Sequence, residues 1–277
     1  MDMSNKLCLI TGATSGIGKE TAFALAGMNA KIVFTARNLE KGNKTLSEIL
    51  EYTKNKNVEM MECNLDSFNS IRKFCDKFKD KYNKLDILIN NAGIWESKRK
   101  LSQDGIELNF AVNHLGPFLL TNLLLNLIKS SAPSRIVNVA SGAHFGRVIN
   151  FDDIEGKKSY SAMNAYGQSK LANILFTKKL ALLLKNTDVT VNCLHPGVIL
   201  TGLFKDMNGA LKFFMNFGTK TAKEGAETTI YLASSDEVNS ITGEYFEKRK
   251  ITKSSNESCD MRVANKLWDL SGKYVSI

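Results

Sequence analysis

Residues 6–18 read KLCLITGATSGIG. The first six form a near-continuous apolar run, the pattern of a strand covered on both faces. Glycines follow at 12, 16 and 18, and from 16 to 28 the chain reads as a helix. In this order, strand, turn and helix present backbone N–H groups and a helix N-terminus to a pyrophosphate. Gly12 allows the sharp turn, Gly16 lets a phosphate approach the backbone, and Gly18 lets helix and strand pack closely. The spacing is G-x-x-x-G-x-G, not the commoner G-x-G-x-x-G, and glycine also serves ordinary strand–helix turns.

Working outward, short apolar runs keep alternating with longer amphipathic stretches. Strands are predicted at 31–36 (KIVFTA), 58–62, 85–89 (LDILI), 135–140 (RIVNVA) and 189–194 (VTVNCL), with a short one near 243–246. Helices are predicted behind an Asn38 cap to about 54, behind Asp66 or Ser67, and at 103–113, 117–130, 162–185, 222–233 and 260–271. Ile71, Phe74, Cys75 and Phe78 fall on one helical face. Asn29 suits the left-handed position that ends the first helix, and Pro117 suits a helix start. Alternation from end to end predicts an α/β fold. The expectation is a single Rossmann-fold domain over 1–277, a doubly wound parallel sheet with helices on both faces.

Composition narrows the class. Hydrophobic residues are 43% and charged residues 23%, which suits a packed core and excludes disordered, collagen-like and coiled-coil chains. The net charge is +9, from 37 basic and 28 acidic residues. Apart from Lys98-Arg99-Lys100 and Lys248-Arg249-Lys250 the lysines are spread out, as on solvated faces, so no nucleic-acid partner is expected. Weak peripheral contact with an anionic membrane stays open. No apolar run reaches the roughly 18 residues of a membrane span; the longest, 118–128, is broken by Thr121, Asn122 and Asn126 and reads as a core helix. Five cysteines without CxxC spacing fit a reducing compartment, the cytoplasm. Three scattered histidines give no zinc pattern and no metal is expected. A strand starting near Lys6 leaves no room for a leader peptide.

Two further patterns bear on chemistry. The second strand ends Thr35-Ala36-Arg37. An acid there would take the adenosine ribose hydroxyls, whereas a cation accommodates a 2′-phosphate, so Arg37 points to NADP(H) ahead of NAD(H). Residues 166–170 read YGQSK, which puts Tyr166 and Lys170 on one face of a helix. An ammonium beside a phenol favours the phenolate, and a phenol tuned this way exchanges a proton with a carbonyl or alcohol oxygen. Ser141 follows the fifth strand at the sheet edge where open α/β folds bind ligands, placed to hold a carbonyl. Asn113 falls at a helix kink before Pro117, where an amide can hold a proton-relaying water.

The set TGATSGIG (11–18), NNAG (90–93), Asn113, Ser141, Tyr166-x-x-x-Lys170 and HPG (195–197) resembles the short-chain dehydrogenase/reductase superfamily. NHLGPFLLTNLLL (113–125), SRIVNVASGAH (134–144), YGQSKLANILF (166–176) and HPGVILT (195–201) are similar to its retinol dehydrogenase group. The resemblance implies that Tyr166 is the general acid/base and that Lys170 tunes it and holds the nicotinamide ribose. Ser141 would orient the carbonyl and Asn113 support a proton relay. It implies a nicotinamide dinucleotide against Gly12, Thr14, Ser15, Gly16, Ile17 and Gly18, with Arg37, Asn64 and Leu65 near the adenosine. Asn91, Ala92 and Gly93 would line the adenosine side, and Pro196, Gly197, Val198 and Thr201 the nicotinamide end. Asn64 departs from the Asp of many relatives. Homodimer contacts would use the helices at 117–130 and 162–185.

The stretch 203–217 (LFKDMNGALKFFMNF) is expected to be an apolar flap suited to a lipophilic carbonyl compound. A core helix, a subunit contact or peripheral membrane contact fits the same residues. The leading expectation is an NADP-dependent oxidoreductase interconverting a lipophilic aldehyde or ketone and its alcohol. Reduction of a C=C bond and a non-catalytic, redox-sensing dinucleotide-binding protein are the alternatives.

Overall fold

The computed structural model describes residues 2–199 and 220–277. Eight strands form one sheet: β1 (Leu7–Ile10), β2 (Lys31–Ala36), β3 (Val58–Glu62), β4 (Ile87–Asn90), β5 (Ser134–Val139), β6 (Val189–His195), β7 (Tyr245–Glu247) and β8 (Lys250–Ile251). Their order is β3-β2-β1-β4-β5-β6-β7-β8. All pairs are parallel except β7 with β8. The apolar run that opens the chain is buried on both sides. Leu7 and Leu9 face one core while Cys8 and Ile10 face the other, the period of two that a strand imposes.

Helices α1 (Gly16–Gly27), α2 (Leu39–Thr53) and α6 (Ala222–Ser234) cover the second core, contributing Ala22, Leu25, Ile49 and Leu232. Helices α3 (Phe68–Lys81), α4 (Leu108–Ser130), α5 (Ala162–Leu183) and α7 (Met261–Val275) cover the first, with Phe74, Phe78, Phe118, Phe176 and Leu267. The chain leaves β1 toward β2 and later returns beside β1 as β4, so a crevice opens between the ends of β1 and β4. Open α/β sheets bind ligands at such a reversal.

Local signals hold where short-range chemistry sets them. Asn29 takes φ +67°, and the Asn38 and Ser67 side chains cap α2 and α3. Two expectations are corrected. Residues 103–107 are not helical: Leu101 and Glu107 bridge antiparallel, and Glu107 caps a helix that starts at Leu108. That helix runs without a break to Ser130, so Pro117 lies inside it, just beyond a π-helical turn at Ala111–Leu115. Its length and composition would allow a membrane crossing, yet most of it is buried against the sheet and its neighbours. The basic cluster near 248 is a two-residue hairpin turn, with Lys248 and Arg249 both at positive φ.

Helix α7 closes the first core. Trp268 meets Phe118 and Phe176, and the Ser271 hydroxyl lies 2.8 Å from His114 Nε2. His114 stands among Phe110, Phe118 and Phe176, and burial pushes its pKa down to about 4. The unfolded imidazole titrates near 6.5. Between those values the unfolded chain binds more protons, so stability present above pH 6.5 is lost as pH falls toward 4, by about 3 kcal/mol. His144 and His195, also lowered by burial, add to the same slope. Urea midpoints measured from pH 7 to 5 should fall for the wild type and fall less for His114→Asn. Equal slopes would sink this account. Of the five cysteines, Cys8, Cys63, Cys75 and Cys193 are buried and Cys259 is exposed.

Candidate active site

The turn after β1 is shaped by close backbone approaches. Gly12 sits at φ +69°, and a Cβ there would stand 2.7 Å from Ala92 Cα. A Cβ on Gly18 would meet Asn91 Nδ2 and the Gly12 carbonyl, so any side chain would break the turn. Asn91 fastens this arrangement. Its Nδ2 donates to the carbonyls of Thr11 at 2.8 Å and Gly12 at 3.1 Å. The Thr11 hydroxyl accepts the N–H groups of Asn91 and Ala92, both at 3.1 Å. Ser15 stands at the N-cap of α1 without a side-chain cap bond, and the first turn has no acid. The N-terminal N–H groups and positive dipole end therefore face the crevice without an acid or a capping side chain of their own, which suits a pyrophosphate.

Around this turn lie the other dinucleotide candidates. Arg37 is exposed directly beyond β2. Beyond β3, Asn64 accepts the Asp66 N–H at 3.2 Å through Oδ1, and Leu65 packs on Gly116. Beyond β6, Gly197 takes φ +94° with the Lys220 stem against it, and Lys220 N–H donates to the Val198 carbonyl at 2.9 Å. Ile199 pairs with Lys220 and reaches over Gly225, whose Cβ position also lies 3.3 Å from Ile17 Cγ1. The segment after Pro196 is thereby drawn to the start of α1. Thr201 and the expected flap at 203–217 lie outside the described residues.

The four catalytic candidates come together at the ends of β4 and β5. Tyr166 is 4% exposed, and its phenol hydrogen-bonds with the Ser141 hydroxyl. The Lys170 ammonium lies 5.6 Å from the Tyr166 ring centroid and donates to the Val139 carbonyl at 3.2 Å. A Cβ on Gly93 would stand 3.2 Å from Lys170 Nζ and 3.4 Å from Asn113 Oδ1, so glycine keeps that approach open. The Trp95 ring meets Tyr166 edge-on at 5.2 Å.

Two details differ from the sequence reading. The Asn113 amide is committed to protein: Oδ1 accepts the Ile94 N–H at 2.7 Å, and Nδ2 donates to the Ile94 carbonyl and to Ser169 Oγ, both at 3.0 Å. Secondly, the phenol is not lowered in the protein chain by itself. Burial pushes Tyr166 up to about 12 against the opposing Ser141 bond, and burial lowers Lys170 to about 8. The phenol is therefore protonated at neutral pH.

A family model described as enoyl-(acyl carrier protein) reductase matches residues 12–247, from the glycine turn through β7. The chain belongs to the short-chain dehydrogenase/reductase family. Among the family's curated proteins, human retinol dehydrogenase 14 is 41% identical over 99% of this chain and 88% of its own. The chloroplastic short-chain dehydrogenase TIC 32 B of Brassica napus is also 41% identical, over 99% and 90%. Among solved structures, an uncharacterised protein from Mycobacterium paratuberculosis superposes with TM-score 0.83 at 32% identity, covering 99% of this chain and 95% of that one. The chain is an oxidoreductase by this membership, with a fold that binds nicotinamide dinucleotides.

Sequence reasoning overlooked Thr11, Ile199 and Lys220. Thr11 lies inside the quoted run, but its partners follow 80 residues later. Lys220 and Gly197 are separated by a long segment with no spacing rule to join them.

Proposed function

We propose that the protein is an NADP-dependent oxidoreductase that interconverts a lipophilic aldehyde or ketone and its alcohol. The observation that carries this reading is the pair of hydrogen-bonded hydroxyls, Ser141 and Tyr166, beside the buried Lys170 ammonium. A bound nicotinamide supplies or accepts the hydride. Ser141 holds the carbonyl oxygen, and Tyr166, protonated at neutral pH, gives that oxygen its proton. Lys170 offers its ammonium to the ribose, while Asn113 braces Ile94 against Ser169 of α5. The Gly12–Gly18 turn holds the pyrophosphate. The retinol dehydrogenase names of several relatives near 40% identity support a lipophilic substrate.

Loss of nicotinamide absorbance, with NADPH beside NADH, tests the reading across retinoid, steroid, aliphatic and aromatic carbonyls. An enoyl thioester belongs in the same panel, because the family model carries the name of a C=C reductase. Turnover of the thioester alone would replace carbonyl reduction by that second reading.

Arg37 is the proposed partner of the 2′-phosphate. Arg37→Asp should weaken NADPH binding about 10- to 100-fold, the loss of one charge-assisted contact. NADH binding should hold or improve, and fluorescence titration with both cofactors measures this. Equal losses for the two would remove Arg37 from the cofactor site.

A further inference from the structure

Ser141 opens a short 3₁₀ turn, Gly142–His144, in which its own hydroxyl accepts the Ala143 N–H at 3.2 Å. The Ser141 carbonyl takes two bonds from one residue. His144 gives it the backbone N–H at 3.3 Å and ring Nδ1 at 2.7 Å. The far side of the ring is fixed by a distant part of the chain, because the Ser255 backbone N–H donates to His144 Nε2 at 3.1 Å. A backbone N–H has one role, donor, so Nε2 is the acceptor and bears no proton. The proton then resides on Nδ1 and points at Ser141. The ring is fully buried, with Phe145 at 4.1 Å and Tyr245 at 5.1 Å between centroids. The proposed reaction gives His144 no contact with substrate or cofactor.

We infer that His144 is a positioning residue for the reaction: its Nδ1–H, set by the Ser255 backbone, holds the Ser141 carbonyl so that the Ser141 hydroxyl stays aimed at Tyr166. This rests on the oxidoreductase reading. The two ring bonds have separate duties. The bond to Ser141 orients a reacting group, and the bond from Ser255 anchors the ring and ties down the segment before α7.

Two substitutions separate these duties. Asn places an amide N–H about where Nδ1 stands but has no acceptor in reach of Ser255. Gln reaches Ser255 with its amide oxygen but has no donor where Nδ1 stands. His144→Gln should lower kcat by about 10- to 100-fold, the range for slight misplacement of a reacting group, with NADPH affinity retained. His144→Asn should lose only a few-fold in kcat while having the lower melting temperature of the two. If kcat falls in step with melting temperature, with Asn the worse variant on both, His144 is a packing residue and the proposal fails.

Two readouts do not need turnover. Nitrogen-15 spectra of the His144 ring should show the Nδ1–H tautomer at pH 7; an Nε2–H ring or a charged ring overturns the inference. The Tyr166 phenol, followed by carbon-13 tyrosine labelling, should titrate higher in His144→Gln than in His144→Asn; identical titrations overturn it too. Failure of the wild type to turn over any compound in the panel would count against the oxidoreductase reading alone, and these two spectra would then decide the role of His144.

Discussion

Tyr166→Phe is expected to lower turnover by about a thousandfold while leaving dinucleotide binding intact. Loss of a positioned general acid costs roughly 10²- to 10⁴-fold. Phe keeps the ring and its edge contact with Trp95, so the only group removed is the hydroxyl that bonds Ser141. The phenol is raised to about 12 by burial, so the wild type carries the proton throughout the neutral range. Phe has no proton to give. Steady-state rates beside a fluorescence titration with NADPH make the measurement. Turnover within tenfold of wild type would move the proton donor elsewhere. Weakened NADPH binding would instead show that the phenol serves the cofactor.

Lys170→Met is expected to separate activity from stability in opposite directions. Turnover should fall at least a hundredfold, because the ammonium beside the phenol and the proposed ribose contact both go. The unliganded protein should become more stable. Burial lowers Lys170 from 10.5 to about 8, so holding the charged form inside costs about 3 kcal/mol at neutral pH. Some of that is offset by the bond to the Val139 carbonyl, which Met leaves unmade. A net rise of a few degrees in melting temperature remains.

The pH dependence gives a sharper test. Between pH 8 and 10.5 the unfolded chain binds the Lys170 proton and the folded chain does not, so wild-type stability gains from this group as pH rises. The buried thiols act oppositely, since burial raises them and the unfolded chain ionises first. Both proteins share the thiols, and the difference cancels them. The advantage of Lys170→Met should therefore shrink from pH 7.5 to 9.5. A constant difference would mean that burial does not lower Lys170 and that it holds its proton as firmly in the fold as in the unfolded chain.

The sheet and the nearness of Tyr166 to Lys170 were legible because each depends on neighbours close in sequence. KLCLIT announces a strand buried on both faces, and Tyr166 and Lys170 share a face by helical period alone. Errors arose where distant partners decide. The segment 103–107 carries a helical pattern, but Glu107 instead accepts N–H groups of Asn109 and Phe110, and its neighbour Asn109 is held by Tyr160 and Glu96. Those partners lie up to 51 residues away. The hairpin between β7 and β8 escaped because its left-handed turn positions hold Lys248 and Arg249, not the glycine or asparagine that usually mark such a turn. His144 gave no signal at all, since its second partner lies 111 residues downstream.

The cysteines give the protein a practical asymmetry. Four sulfurs are sealed inside and held as thiols by burial, which makes them poor nucleophiles. Cys259 alone faces solvent, at the end of the 3₁₀ turn Asn256–Cys259 that begins one residue after Ser255. A maleimide dye should therefore attach at one place without any cysteine having to be engineered away. That place adjoins the backbone amide that holds the His144 ring, so the dye would report, from outside and in real time, when the strut behind Ser141 lets go.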